Sequence, residues 1–294
     1  MKSGFVSLIG RPNVGKSTLL NQIIGKKVAI TSNKPQTTRN MIQGIYTKED
    51  VQMVFVDTPG IHKPNHKLGA YLNKQAYYSI DDVDIILFLV DASDSLGKGD
   101  QYILERLKSV SKPVILVLNK VDKMPKEQIL LKIDEYKDLY PFKEIVPLSA
   151  LKNDNVNTLI SVLENYLPDS VPYYEEGTVT NKSLNFVLSE MIREKVFLLT
   201  EEEVPHSVAT VIDGVEETKN HYVIHGTIIV DRDALKKIIV GHNGSMIKKI
   251  GQMARKDMED YLGKTVYLEL FVKTILNWRD REKYLSEFGY QEFE

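Results

Sequence analysis

The sequence predicts two domains: an α/β domain on a mostly parallel β-sheet with one antiparallel edge strand, then a smaller α+β domain. Up to about residue 167, short β-branched runs alternate with helix-length segments. A stretch with two prolines and a glycine follows, and the order of helices and strands changes after it. Apolar strands separated by helices are typical of a parallel sheet covered on both faces. We therefore assign 1–167 to the first domain, 168–181 to a linker and 182–294 to the second domain.

Five apolar runs and one hairpin form the predicted sheet of the first domain. The runs do not alternate with polar residues, as expected for strands that are buried on both faces. Only residues 48–50 separate Ile42–Thr47 from Val51–Val56, so these two segments are predicted to form a hairpin that adds the antiparallel edge strand. The five runs are Phe5–Ile9, Met53–Val56, Ile85–Val90, Val114–Leu118 and Ile145–Leu148.

The second domain lacks the strand–helix–strand repetition of the first. Its hydrophobic periodicity predicts the order helix, strand, strand, helix, helix, strand, which is an α+β arrangement. The predicted segments are Leu184–Leu199, Ser207–Glu216, His221–Val230, Ala234–Val240, Met246–Tyr261 and Val266–Val272.

The composition excludes several classes of site and protein. No cysteine is present among the 294 residues, which excludes disulfides, cysteine-ligated zinc, iron–sulfur clusters and thiol catalysis and points to a reducing cytosol. The formal net charge of -2 gives no overall attraction to nucleic acid. The apolar runs are far shorter than the roughly 18 to 20 residues of a membrane span. We expect a cytoplasmic protein.

A phosphate-binding motif fills the turn between the first strand and the first helix. Glycines let backbone N–H groups converge on phosphate oxygens, and a helix N-terminus favours negative charge. Lys16 would reach the β and γ phosphates, and Ser17 Oγ would ligate magnesium. The spacing fits GxxxxGKS, so the sequence predicts a P-loop for a nucleoside triphosphate. The motif and the residue after it are Gly10, Arg11, Pro12, Asn13, Val14, Gly15, Lys16, Ser17 and Thr18.

A second group of phosphate-side residues follows the strand 53–56. Asp57 comes at the carboxyl end of that strand, where open α/β sheets bind ligands. Its carboxylate could hold a magnesium-bound water, and the Gly60 N–H could meet a γ phosphate. The residues of this element are Asp57, Thr58, Pro59, Gly60 and Ile61.

A polar loop between the first helix and the hairpin could complete the magnesium shell. Residues 31–40 contain a proline and no hydrophobic period, so regular structure is not expected there. A threonine hydroxyl in such a loop could ligate magnesium and sense the γ phosphate. Thr37 and Thr38 both qualify, and we favour Thr38.

Two further motifs predict recognition of guanine. Asp122 could accept hydrogen bonds from guanine N1–H and the exocyclic amine, a pair that adenine does not offer. Asn119 would bridge the base and the P-loop, and the Lys120 stem would pack over the purine plane. The Ala150 N–H would be offered to guanine O6. The motifs consist of Asn119, Lys120, Val121 and Asp122 after one strand, and of Ser149, Ala150 and Leu151 after the next.

A basic segment around a glycine loop predicts RNA binding by the second domain. Two glycines at the first and last positions of a four-residue loop, between two helical patterns, allow close approach of a nucleic acid backbone, and lysines neutralise its phosphates. No acidic residue lies between Lys236 and Lys256. The predicted RNA-binding residues are Lys236, Lys237, Gly241, His242, Asn243, Gly244, Lys248, Lys249 and Arg255.

Together these motifs resemble the Era family of bacterial ribosome-assembly GTPases. The runs Pro35–Arg39 and Asp57–His62 and the appended second domain carry the resemblance. It implies a P-loop GTPase domain followed by a type II KH domain, with GTP or GDP and magnesium as ligands. It also implies that the chain binds small-subunit ribosomal RNA near its 3′ end and assists maturation of the 30S particle, with no DNA partner.

Two other functions compete with this interpretation. A metabolic P-loop kinase would need an acceptor pocket and would have no use for Asn119–Asp122. A peripheral membrane GTPase on the inner face of the cell membrane is compatible with the family resemblance, and no anchor is visible. Binding of guanosine against adenosine nucleotides tests the kinase interpretation, and RNA crosslinking near Gly241 tests the membrane interpretation.

The means of activating water must differ from that of GTPases with a catalytic glutamine. Ile61 cannot orient an attacking water. We expect a solvated Arg11 side chain. Asn13 resembles the P-loop asparagine of GTPases in which a potassium ion acts as the stabilising cation. Alternatively, Asn13 only caps or braces the loop.

Overall fold

The structure is a computed structural model that describes residues 1–32, 34, 37–59, 68 and 82–290. The chain divides into two compact units. The first contains Met1–Ala29 and the described parts of Thr38–His62 and Leu72–Asn181. The second contains the described parts of Ile30–Thr37, Lys63–Tyr71 and Lys182–Glu294.

The first unit is built on a six-stranded sheet. The strands are β1 Lys2–Ile9, β2 Ile42–Lys48, β3 Val51–Asp57, β4 Ile85–Asp91, β5 Val114–Asn119 and β6 Glu144–Pro147. Their order across the sheet is β2-β3-β1-β4-β5-β6. Strand β2 pairs antiparallel with β3, and all other pairs are parallel. The predicted mostly parallel sheet with one antiparallel edge strand is confirmed.

Hydrophobic burial explains why these segments form the layers of the unit. Every residue of β4 and β5 is buried, as expected for central strands covered on both faces. The described helices are α1 Lys16–Ile24, α2 Lys98–Leu107, α3 Lys126–Lys137 and α4 Val156–Tyr166. Helix α4 buries residues at the spacing of a single apolar stripe, namely Val156, Leu159, Ile160 and Leu163.

The parallel register brings the polar ends of the strands to one edge of the sheet. Leu8 of β1 pairs with Asp57 at the end of β3. Asp91 at the end of β4 pairs with Asn119 at the end of β5. Because the carboxyl ends of parallel strands share an edge, the P-loop after β1 meets both groups there.

The segment 168–181, predicted as a linker, lies along the sheet of the first unit. The Ile45 N–H of β2 donates to Val179 O (3.0 Å), and the Gln43 N–H donates to Asn181 Oδ1 (3.1 Å). Buried Gln52 accepts from the N–H groups of Tyr173 and Tyr174, at 2.7 and 3.0 Å. The segment has no regular helix, but its backbone is ordered by these bonds.

The second unit pairs helices with a three-stranded sheet. Its described elements are α5 Leu184–Leu199, β7 Val208–Glu217, β8 His221–Val230, α6 Asp233–Val240, α7 Ser245–Leu262 and β9 Thr265–Thr274, with α8 Glu282–Glu287 after them. The strand order is β7-β8-β9, where β7 and β8 are antiparallel and β8 and β9 are parallel. The predicted order of helices and strands is confirmed.

Helix α5 is buried around most of its circumference. Val187, Leu188, Met191, Ile192 and Val196 belong to the apolar core of the second unit. The charged side chains on its other faces are buried too, and each has an opposite charge within reach: Arg193 with Glu190, and Lys195 with Glu194 and Asp257.

Within the described part of the chain, no helix is both long enough and apolar enough to cross a membrane.

Candidate functional site

The P-loop has the backbone geometry that a phosphate site requires. Gly10 and Gly15 have φ values of 154° and 101°, and Asn13 has a φ of 65°. A Cβ atom on Gly15 would lie 2.2 Å from Asn119 Nδ2, so a larger residue would displace the Asn119 amide. Lys16 Nζ donates to the carbonyls of Gly10 and Arg11, both at 3.0 Å. Burial lowers the pKa of Lys16 to about 8, against the opposing effect of the nearby Asp57.

Three predicted magnesium ligands converge beside the P-loop. Ser17 Oγ donates to Asp57 Oδ2 (2.5 Å) and lies 2.9 Å from Thr38 Oγ1. Burial raises the pKa of Asp57, while Lys16 and the two hydroxyls act to lower it. Its second oxygen, Oδ1, is buried and has no hydrogen-bond partner among the described residues. Two hydroxyls beside a buried carboxylate with an unused oxygen suit a hard cation such as magnesium.

The structure distinguishes the two candidate threonines. Thr37 Oγ1 bonds to Ser32 Oγ (2.6 Å) and donates to Lys34 O (2.7 Å), so its hydroxyl takes part in a local turn. Thr38 is buried and directs its hydroxyl to Ser17. This geometry favours Thr38 as the magnesium ligand.

The remaining residues of the Asp57 element divide between the described and undescribed parts of the chain. Thr58 is buried, and its Oγ1 donates to Leu8 O (3.0 Å), which anchors the end of β3 to β1. Pro59 is also buried. Gly60 and Ile61 lie outside the described residues.

Asn119 joins the P-loop to both guanine motifs through one side chain. Its Nδ2 donates to Val14 O (2.8 Å). Its Oδ1 accepts from the N–H groups of Lys120 (2.8 Å) and Ala150 (3.0 Å). The Ala150 N–H is therefore engaged by Asn119 in this structure, and its bond to guanine O6 stays a prediction.

Asp122 is oriented by the second guanine motif. Ser149 Oγ donates to Asp122 Oδ1 (2.5 Å), which fixes one carboxylate oxygen and directs the other away from Ser149. Val121 begins a short 3-10 turn that carries Asp122. Leu151, the last residue of the second guanine motif, is 70% exposed. A carboxylate held in this way is suited to accept two donors from one base edge.

The Lys120 side chain is held at its tip. Its Nζ donates to Asn13 O (2.6 Å) and lies 2.7 Å from Asp91 Oδ2. Burial alone would raise the pKa of Asp91, but the bonds from Lys120 and Ser93 hold it below its usual value. The stem of Lys120 is thereby fixed between the P-loop and β4, as packing over a purine requires.

Arg11 is not a solvated side chain, contrary to the sequence-based expectation. Its Nε donates to Asp100 Oδ1 (2.9 Å), and the Asp100 side chain is fully buried at the start of α2. Asp94 Oδ2 lies 3.5 Å from Arg11 Nη2. A buried carboxylate holds an arginine firmly because either charge alone would be costly to bury. Arg11 therefore braces the P-loop against α2.

The predicted RNA-binding residues lie in the turn between α6 and α7 and on these two helices. Gly241 has a φ of 72°, and a Cβ there would lie 2.7 Å from Met246 Cβ. Asn243 and Gly244 also have positive φ values, at 52° and 76°. These angles make a tight loop that only small or adaptable residues tolerate. His242 and Asn243 lie in the turn itself, and Lys236, Lys237, Lys248 and Lys249 lie on the adjoining turns of α6 and α7. Arg255 and Lys256 lie farther along α7: Arg255 is eleven residues past Gly244, about 16 Å along the helix axis.

Two carboxylates that shape the nucleotide site were not predicted from the sequence. Asp91 had a readable signal, because it ends a buried strand just as Asp57 does. Asp100 had none: it lies inside an ordinary helical pattern, 89 residues from the arginine that it binds.

Comparison with known proteins finds matches over both units. Residues 5–120 match the family model described as 50S ribosome-binding GTPase, and residues 203–279 match the KH domain. The chain is 42% identical to Era in a crystal structure with MgGDPNP and nucleotides 1506-1542 of 16S ribosomal RNA, with a TM-score of 0.94. It is 42% identical, with a TM-score of 0.95, to a variant of Aquifex aeolicus Era bound to GDP.AlF4-. Each match covers 99% of this chain and 100% of the other.

Proposed function

Because the chain belongs to the Era family of GTPases, we propose that it uses the nucleotide state of its first domain to control how its KH domain binds RNA. It hydrolyses GTP to GDP and phosphate, with magnesium as cofactor. Its RNA is small-subunit ribosomal RNA, bound near the 3′ end, and its process is maturation of the 30S subunit. Membership of this family favours a GTPase over the metabolic kinase that the P-loop alone would allow.

The Asn119 side chain is the observation that carries the assignment of the nucleotide site. It bonds to the P-loop, to Lys120 and to Ala150, so the phosphate-binding and base-binding motifs form a single site. A P-loop alone would bind many nucleotides. A carboxylate at Asp122, oriented by Ser149, selects guanine.

The residues beside the P-loop supply the means of hydrolysis. When bound, magnesium neutralises charge on the β and γ phosphates. Ser17 and Thr38 would hold it through their hydroxyls and Asp57 through a water. Lys16 would exchange its two carbonyl partners for phosphate oxygens. The N–H groups of the P-loop would fix the phosphate chain in line for attack, with the predicted Gly60 N–H at the γ phosphate.

Nucleotide control of RNA binding is tested by measuring affinity for a short RNA from the 3′ end of small-subunit ribosomal RNA. We expect the full chain to bind this RNA with different affinity in the GTP-analogue and GDP states. An RNA of scrambled sequence serves as the control. Equal affinities for the 3′-end RNA in the two nucleotide states would overturn the switch.

The loop at Gly241–Gly244 is expected to carry RNA binding without affecting GTP hydrolysis. Replacing it with a bulkier acidic loop should weaken RNA affinity and leave basal hydrolysis unchanged, because the phosphates could no longer approach the backbone. Unchanged RNA affinity in the loop variant would contradict the assignment.

Reversing the charge of Lys248 and Lys249 should flatten the salt dependence of RNA binding. The slope of log affinity against log salt concentration should fall by about 0.7 for each of these lysines that neutralises a phosphate.

Potassium is expected to accelerate hydrolysis relative to sodium at equal ionic strength. Asn13 is exposed in the P-loop with a φ of 65°, and an amide oxygen suits a large monovalent cation between the β and γ phosphates. Asn13→Ala should abolish the difference between the two salts. Equal rates for the unmodified protein in potassium and sodium would leave Asn13 with a bracing role only.

Cytoplasmic location, with or without association with the inner face of the cell membrane, stays a prediction of this proposal.

A further inference from the structure

The loop that precedes Thr38 is bound by helix α5 inside the second unit. The Thr31 N–H donates to Glu194 Oε1 (3.0 Å), and Arg193 Nη2 donates to Thr37 O (2.5 Å). Lys34 Nζ donates to the carbonyls of Phe197 and Thr200 at the end of the helix. The loop is thus attached to α5 at both of its ends and near its middle.

Arg193 is the most firmly held of the α5 side chains that bind the loop. Its side chain is fully buried, and Glu190 accepts two bonds from it, Nε to Oε1 at 2.7 Å and Nη2 to Oε2 at 2.5 Å. The guanidinium also lies over the Phe197 ring, 5.1 Å from its centroid. A two-point bond to a buried carboxylate leaves the guanidinium little freedom. The carbonyl of Thr37 therefore bonds to a fixed donor.

Thr37 is joined directly to Thr38, whose hydroxyl lies 2.9 Å from Ser17 Oγ. With the Thr37 carbonyl fixed, the peptide plane that enters Thr38 is fixed as well. The position of the Thr38 hydroxyl then depends only on the backbone and side-chain rotations of Thr38 itself. Ordering this residue beforehand removes an entropy cost that magnesium and the γ phosphate would otherwise have to meet.

We propose that Arg193, on helix α5 of the second unit, is a positioning residue for GTP hydrolysis. It acts through the Thr37 carbonyl to hold Thr38 ready for magnesium. The proposal rests on the proposed function in one respect, the role of Thr38 as a magnesium ligand. No motif of the GTPase domain indicates Arg193, because it comes from the RNA-binding half of the sequence.

The test is the magnesium dependence of single-turnover GTP hydrolysis by the full chain. Arg193→Met keeps the apolar stem and removes the donors. It should raise the magnesium concentration for half-maximal hydrolysis by about ten-fold, as expected for loss of a hydrogen bond from a charged group. GDP affinity should not change, because Thr38 is assigned to the γ-phosphate side. Arg279→Met is the matched control: it removes another largely buried arginine, paired with Asp231 at 2.6 Å, that makes no bond to the loop among the described residues.

Two further variants separate the possible causes of a negative or ambiguous result. If Arg193→Met fails to fold, Glu190→Gln leaves the arginine in place but loosens it, and the same shift in magnesium dependence is expected. Adding Arg193→Met to Thr38→Ala should produce no further shift, whereas a general structural defect would add to it. A wild-type magnesium dependence in folded Arg193→Met, or in Glu190→Gln, would overturn the proposal. A wild-type dependence in Thr38→Ala would instead overturn the magnesium role of Thr38, and the proposal with it.

Discussion

GTP hydrolysis by the Lys16→Ala variant is expected to fall by about a hundred-fold or more, the size of effect seen when one preorganised donor to a developing charge is removed. In the structure Lys16 is buried, and its Nζ donates to two carbonyls, at 3.0 Å from Gly10 O and Arg11 O. In the proposed mechanism these donors turn to the phosphate chain of GTP. Without Lys16, the Asp57 carboxylate would also lose the nearby positive charge that opposes the rise of its pKa on burial.

The measurement is single-turnover hydrolysis at saturating GTP, which separates chemistry from binding. Lys26→Ala is the control, because Lys26 is exposed just beyond the other end of the same helix. Its rate should equal that of the unmodified protein. Hydrolysis by Lys16→Ala at the rate of the control would remove the P-loop interpretation.

The Asp122→Asn variant is expected to prefer xanthine over guanine nucleotides by roughly a hundred-fold, because the new side chain presents a donor to the base edge where Asp122 presents an acceptor. Ser149 Oγ donates to Asp122 Oδ1 (2.5 Å). An asparagine would keep its oxygen on Ser149 and turn its NH2 group toward the base. That group repels the two guanine donors and can donate to the 2-oxo group of xanthine.

Competition binding of GDP and xanthosine diphosphate measures this change. Asp134→Asn is the control, since Asp134 is an exposed carboxylate of α3 that pairs with Lys137. It should leave the preference for guanine intact. If Asp122→Asn bound GDP as tightly as the unmodified protein, the assignment of Asp122 would be wrong.

The elements that could be predicted are those whose signal is local. The runs that became β4 and β5 are continuous and apolar, because both faces of those strands are covered, and the whole segments are buried. The P-loop, Asp57 and Asn119 follow such runs directly, so the parallel register that gathers them was foreseeable. The loop at Gly241 could be placed because two amphipathic helices flank it.

What could not be predicted depends on pairs distant in sequence. Asp100 fixes Arg11 across 89 residues, and Arg193 reaches Thr37 across 156. In each case the segment around one partner contains no local signal that points to the other. The charges of α5 look like those of an ordinary exposed helix face, and only the folded structure shows that they are buried. The prediction of a solvated Arg11 was wrong because its partner, Asp100, is distant in sequence.

The bonds between residues 179–181 and β2 have a consequence for the behaviour of the protein in a crowded cell. An edge strand with free N–H and C=O groups is a template on which other chains can add strands and aggregate. Here the N–H groups of Gln43 and Ile45 are taken by Asn181 and Val179, and a bridge joins Gly44 to Thr180. The stretch that separates the two domains in sequence therefore also caps the vulnerable side of the sheet. A proteolytic cut that released it would leave the first domain with an open, adhesive edge.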